Sequence, residues 1–231
     1  MRNVVIANVN KLDFQTARSE VEVVEGTAQL TNATKTYVID WGNYNGESLV
    51  GHTVFIPSIL LSDSLTDGTK VYFDLECYPF FQKTKEVIRR NTKGIFRLRR
   101  IVENEDNTLI ASDLYVLSTV FGDPESVSVK RSSAEVKPSH VIVMINFGGG
   151  TIAHLDYTFS GEDFIELEWS GINTIIEFNS CEMNPFEPKR YTSLPLSYSV
   201  EAIFDLSHTV DDRLVERLSN FHNKVNGGVQ S

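Results

Sequence analysis

The clearest pattern of apolar and polar positions runs from residue 140 to residue 181. Residues 141–145 (VIVMI) are an unbroken apolar run of strand length, and Gly148, Gly149 and Gly150 break it. From residue 151 to 159 the chain alternates, with Ala153, Leu155, Tyr157 and Phe159 on one side and His154, Asp156 and Thr158 on the other. Residues 160–163 read as a turn, after which Ile165, Leu167 and Trp169 alternate with Glu166 and Glu168. A second turn at 170–173 leads to Thr174, Ile176 and Phe178, alternating with Ile175 and Glu177. Successive strand side chains point to opposite faces, so this spacing predicts strands with one apolar and one wetter face. Short strands joined by Gly, Ser, Asn and Asp turns predict an antiparallel meander, because parallel neighbours need long crossovers.

Elsewhere the pattern is weaker. Residues 4–9 read as a first strand or as an arm that pairs with a neighbour. Residues 20–24, 36–40, 53–56, 70–78, 95–102 and 108–118 read as further strands. Residues 121–139 are rich in Ser, Lys and Pro and read as a linker or long loop. Residues 183–195 contain three prolines and predict irregular backbone. Residues 198–204 predict a last strand, with Tyr198, Val200, Ala202 and Phe204 on one face. The period then changes: Leu214, Leu218, Phe221 and Val225 recur at three- and four-residue steps and predict a helix over 211–225. Thr209 is its candidate N-cap, and Gly227 and Gly228 end it. The expected fold class is mainly β: antiparallel β-sandwich or barrel-like lobes with one C-terminal amphipathic helix. The expected division is an N-terminal β domain (1–125), a linker (126–139) and a C-terminal meander plus helix (140–231).

Composition bounds this picture. A chain of 231 residues can bury one large β core or two small ones. With 41% hydrophobic and 23% charged residues, wholesale disorder is excluded. A net charge of −10 argues against coating nucleic acid or anionic membrane as a whole. No run reaches the roughly 18 apolar residues of a membrane span, and the N-terminal apolar patch is too short for a signal peptide, so synthesis and folding in a cytoplasm are expected. Cys77 and Cys181 are either one long-range bridge or, as isolated buried cysteines usually are, two reduced thiols.

Reactive constellations are absent from the sequence. Gly148–Gly150 follows an apolar strand, but a strand and not a helix follows it and the lysine of a phosphate loop is missing. Glu166 and Glu168 share a strand face roughly 7 Å apart, near the spacing of glycosidase carboxylates, yet they read as a solvated face. Asp74 with Glu76, and Asp211 with Asp212, read the same way. His52, His140, His154, His208 and His222 are scattered, with no metal-ligand spacing, so no metal, cofactor or catalytic residue is assigned.

One charge feature stands out. Residues 83–100 hold eight basic side chains (Lys83, Lys85, Arg89, Arg90, Lys93, Arg97, Arg99 and Arg100) and one acid, Glu86, in an acidic chain. Three readings are open: a solvated hairpin protected against edge pairing, an arm that docks on an acidic patch of a neighbouring subunit, or a polyanion site. Nucleic acid ranks last, because only Phe96 interleaves the run as a stacking ring.

A β-rich, acidic texture with many Asn, Thr and Ser residues, a basic arm and no catalytic cluster resembles the structural proteins of virus particles, particularly tail, neck and baseplate components of tailed bacteriophages. That resemblance rests on texture and not on a motif. It implies a non-enzymatic assembly subunit located in the virion, bound to other protein subunits in a homo-oligomeric ring or a hetero-assembly. Residues 1–13, 83–100 and 227–231 would then extend from the core. A second class is a carbohydrate-binding β-sandwich, for which Trp41, Tyr44 and Asn45 in the WGNYNGE turn are the candidate sugar contacts. A hydrolase using carboxylates ranks third.

Overall fold

The N-terminal apolar run is not an arm. Val4, Val5, Ile6 and Ala7 are fully buried and lie in a central strand. The computed structural model describes residues 2–15, 20–30, 35–46, 49–61, 68–103, 105–133, 135–161, 163–181 and 196–227. In chain order the strands and helices begin with β1 (Arg2–Ala7), β2 (Val21–Val24), β3 (Thr36–Asp40), β4 (His52–Pro57), β5 (Thr69–Tyr72), α1 (Asp74–Cys77) and α2 (Pro79–Ile88). Then come β6 (Gly94–Val102), α3 (Asn107–Phe121), β7 (Ser126–Arg131), β8 (Ser139–Gly148), β9 (Thr151–Phe159), β10 (Phe164–Gly171) and β11 (Ile175–Asn179). The chain closes with α4 (Val200–Leu206), β12 (His208–Thr209) and α5 (Asp212–Asn226). The chain divides into unit 1 (Met1–Pro79 and Ser197–Glu216) and unit 2 (Phe80–Leu196 and Arg217–Ser231).

Unit 1 is built on a sheet in the order β12-β5-β4-β1-β3-β2. β1 runs parallel to both β3 and β4, β2 is parallel to β3, and β5 is parallel to β4; only the two-residue β12 is antiparallel. The short apolar runs VVIA, YVI and VFI are therefore strands covered on both faces, which is why they are continuous and do not alternate. Each crossover (8–20, 25–35, 41–51 and 58–68) is about the dozen residues that a parallel return requires. Their described residues form single 3-10 turns and no α-helix.

Unit 2 is a six-stranded sheet in the order β11-β10-β6-β9-β8-β7. The alternation read between residues 140 and 181 does form β8 to β11, and β8–β9 and β10–β11 are antiparallel pairs. The expected meander is interrupted, however. β6 inserts between β9 and β10, parallel to the first and antiparallel to the second. Gly148, Gly149 and Gly150 close the β8–β9 hairpin at φ of 73°, 59° and 92°, a region that residues with side chains avoid.

The mainly-β sandwich with a single helix is thus wrong, and three misread segments explain it. Residues 108–118 belong to α3, whose fifteen residues exceed the usual strand length. It is buried over most of its circumference, polar Ser112, Asp113 and Ser118 included beside Ile110, Leu114, Val116 and Leu117, and its start is set by Asp106, which accepts from the Thr108 amide at 2.7 Å. Residues 198–204 are mostly α4, capped by Ser199 Oγ accepting from the Ala202 amide at 3.1 Å. Of residues 70–78 only 70–72 are strand; helix α1 follows, and Pro79 then takes the first position of α2, where its missing N–H costs nothing. α5 forms over nearly the residues expected, but its cap is Asp211, whose Oδ1 accepts from the Leu214 amide at 2.8 Å, and not Thr209, which lies in β12; β7 occupies residues expected as linker. Residues 183–195, expected to be irregular, and the tail beyond Gly227 lie outside the described residues.

Gly94, where β6 begins, marks a tight approach. A Cβ there would lie 2.4 Å from the Ser170 carbonyl oxygen and 2.9 Å from the Trp169 ring. Gly94→Ala should cost about 1–3 kcal/mol and lower the thermal midpoint by several degrees. Gly161→Ala, whose Cβ would meet nothing within 4 Å, should leave it unchanged.

Candidate functional site

In open parallel sheets the carboxyl ends of the strands form a crevice where strand order reverses, and ligands bind there. In unit 1 the reversal is at β1, with β3 and β2 on one side and β4 and β5 on the other. Three chain segments converge at that end: the 3-10 turn after β1, α1 after β5, and the segment leading into α4.

Their side chains form one polar cluster. Lys11, on the turn after β1, places its ammonium 3.5 Å from Asp74 Oδ2. Tyr198 donates its hydroxyl to Asp74 Oδ1 at 2.7 Å. The backbone fixes this arrangement: the Tyr198 amide donates to the Lys11 carbonyl and the Asp13 amide to the Tyr198 carbonyl, both at 3.0 Å. Lys11 and Asp74 keep 13% and 14% of their side-chain surface exposed, so both retain contact with solvent, while Tyr198 is buried.

Two more buried tyrosines pack beside Tyr198. Tyr72 donates to the Ile6 carbonyl at 3.0 Å, and the rings of Tyr72 and Tyr78 stand edge-on to Tyr198 at 6.1 and 5.4 Å. Burial pushes the Tyr198 phenol well above its ordinary range, and the Asp74 carboxylate adds to the push. Burial does the same to Tyr72 and to the Cys77 thiol, again reinforced by Asp74. Tyr198 is therefore a proton-bearing phenol at neutral pH, facing a carboxylate that also faces an ammonium. On the same unit, Glu76 meets His208 Nε2 at 2.8 Å.

The basic residues singled out from the sequence are not brought together. Lys83 is exposed and Lys85 buried on α2, while Arg89, Arg90 and Lys93 are exposed between α2 and β6. Arg97 and Arg99 stand on the exposed face of β6, paired with Glu168 at 2.5 Å and Glu166 at 3.9 Å. Arg100 points the other way, into the core. Glu166 and Glu168 are thus the partners of a cross-strand charge ladder, spaced by the pleat and not by a reaction. Trp41, Tyr44 and Asn45 follow β3 at the carboxyl end of the unit 1 sheet, with Trp41 and Tyr44 half-buried and Asn45 exposed. Cys77 is a buried free thiol and Cys181 an exposed one.

Sequence reading missed Lys11 and Tyr198 and dismissed Asp74 as one of an alternating pair. The available signal was positional: Lys11 and Asp74 each come within a few residues of the end of an apolar run. That signal carries meaning only once the runs are known to be parallel.

No family model matches the chain, and no curated protein matches it. Among solved structures it is similar to a putative myo-inositol dehydrogenase from Sinorhizobium meliloti 1021, with a TM-score of 0.55 and 10% identity over 100% of this chain and 97% of that one. It is also similar to a probable dehydrogenase from Thermotoga maritima, with a TM-score of 0.50 and 13% identity over 99% and 90%. At these identities the likeness is one of fold. It overturns the resemblance to phage tail, neck and baseplate proteins, and with it the virion location, the assembly role and the carbohydrate-binding sandwich. The expectation that the chain is not an enzyme, which rested on that resemblance, is overturned with it.

Parallel sheets with this kind of order reversal can bind a dinucleotide at the turn after the first strand, and the residues of this chain do not fit one there. The turn after the first strand carries G-x-G-x-x-G where a dinucleotide binds, and a helix N-terminus faces the pyrophosphate. Here the turn reads Ala7-Asn8-Val9-Asn10-Lys11-Leu12, with no glycine. A 3-10 turn of three residues (Val9–Lys11) stands where the helix would begin.

Proposed function

We propose that the protein is an enzyme that moves protons on a small polyhydroxylated alcohol or ketone, at the carboxyl end of the unit 1 sheet. Asp74 is the base, Tyr198 the phenolic proton donor, and Lys11 the cation that pairs with Asp74 and meets a developing oxyanion. The observation that carries this reading is the Lys11–Asp74–Tyr198 trio: a neutral phenol and an ammonium on opposite oxygens of one partly exposed carboxylate. Acid and base held in one hydrogen-bonded group meet the geometric requirement for general acid–base catalysis. The substrate class is suggested by the solved neighbour described as a putative myo-inositol dehydrogenase. The redox-neutral reaction class follows from the misfit of the β1 turn to a dinucleotide.

The test is solvent deuterium exchange, followed by NMR, on a panel of inositols, cyclic polyol ketones and open-chain α-hydroxy ketones. The expected result is exchange at a carbon beside the carbonyl of at least one ketone, slowed about 10²-fold or more in Asp74→Asn. Tyr198→Phe and Lys11→Met should also slow it, while each variant keeps its circular dichroism. No exchange across the panel, or exchange that Asp74→Asn leaves intact, would falsify the assignment.

A further inference from the structure

We infer that the phosphate position of this fold is closed by the protein's own groups, so that the turn after β1 binds no nicotinamide dinucleotide. An anion cradle needs backbone N–H groups that point outward and have nothing else to bond. Five successive amides at this turn are already donated inside the chain. Val9 donates to Asp40 Oδ2 at 3.2 Å and Asn10 to Asn8 Oδ1 at 3.0 Å. Lys11 donates to the Asn8 carbonyl at 2.9 Å, Leu12 to that of Val9 at 3.1 Å, and Asp13 to that of Tyr198 at 3.0 Å.

Two of these acceptors come from far along the chain, and both stand in the way of a ligand. Asp40 ends β3, the strand beside β1, where a dinucleotide fold places the acid that holds a ribose hydroxyl. Here its two oxygens are engaged by the amides of Val9 and Gly42, the latter at 2.9 Å. Its carboxylate supplies the negative charge that a phosphate would bring, and a pyrophosphate arriving there would meet like charge. The second acceptor is the backbone of Tyr198, which bridges Leu12 in parallel and lies across the turn. A dinucleotide would have to break these bonds and approach past six residues that all carry side chains.

Two measurements on the full chain test this. In the first, NAD+, NADH, NADP+ and NADPH are titrated to about 1 mM while the backbone amides are followed by NMR. The expected result is that the resonances of residues 9–13 do not move, whether or not a dinucleotide binds elsewhere. Saturable shifts at those residues overturn the inference. In the second, amide hydrogen exchange should be slow at Val9 and Asp13, and Asp40→Ala should speed Val9 at least tenfold while leaving Asp13 protected. Open-chain exchange rates at Val9 and Asp13 in the unaltered protein sink it. The deuterium assay above contains no dinucleotide, so failure of the proton-transfer reading and failure of this one are separate results.

Discussion

Raising the pH through 9 to 11 should unfold unit 1 before unit 2. In unit 1, Tyr72, Tyr198 and Cys77 are all held protonated to higher pH than in an unfolded chain, chiefly because burial penalises their charged forms. Unit 2 has one such group among those resolved, Tyr157, raised by burial and by Asp113. The unfolded chain therefore sheds these protons first, and stability falls as pH rises. Below the ordinary thiol and phenol ranges, about 8.5 and 10, the contribution of these groups is fully present. Above them each group removes about 1.4 kcal/mol per pH unit until its folded value is reached. Three groups give unit 1 a slope on the order of 4 kcal/mol per unit beyond pH ~10, against a total stability of about 5–15 kcal/mol for a typical domain. Urea unfolding at a series of alkaline pH values, read together with tyrosinate absorbance, checks this. A stability that is flat to pH ~10.5, or tyrosinate forming at Tyr72 and Tyr198 in the folded protein near pH 10, contradicts it.

Asp113→Ala should be the most damaging single substitution in unit 2. Arg100 on β6 sends one guanidinium nitrogen to both Asp113 oxygens, at 2.8 and 2.9 Å, and Tyr157 donates to the same carboxylate at 2.9 Å. Both charged side chains are only 2% exposed. Removing the carboxylate takes the Asp113 counter-charge and its hydrogen bonds from a buried cation, which costs about 3–5 kcal/mol. The double variant Arg100→Met/Asp113→Leu removes both charges together and should recover most of that loss. Chemical denaturation of the three proteins measures the difference. A loss below about 1 kcal/mol in Asp113→Ala would mean that the pair is solvated and that β6 does not depend on it.

The same residue shows why the basic run misled. Within residues 83–100 the charge pattern is real, but its meaning changes every few residues. Arg97 and Arg99 face outward because β6 alternates, and the next strand supplies Glu168 and Glu166 opposite them. Arg100, one residue further, falls on the buried face and finds Asp113 on α3. A charge count sums over a segment, whereas the period of two divides it between two environments. Arg97, Arg99 and Arg100 are paired within the chain and divided between the two faces of one strand, so these three do not form part of a projecting basic arm.

What this sequence determines by itself is local. Alternation over residues 151–178 specifies strands, and the three- and four-residue steps after 211 specify a helix, because each depends only on where neighbouring side chains point. Tertiary structure decided which strands pair, which of them run parallel, and that residues 107–121 are a buried helix, since apolar runs covered on every side have no period to read. It also decided the site. Lys11, Asp74 and Tyr198 are brought together only because β1 and β5 present their carboxyl ends at the same edge of the sheet and the chain returns to it after leaving for unit 2. Hydrogen-bond geometry across such sequence distances is set by the packing of the whole unit, which no short stretch of residues encodes.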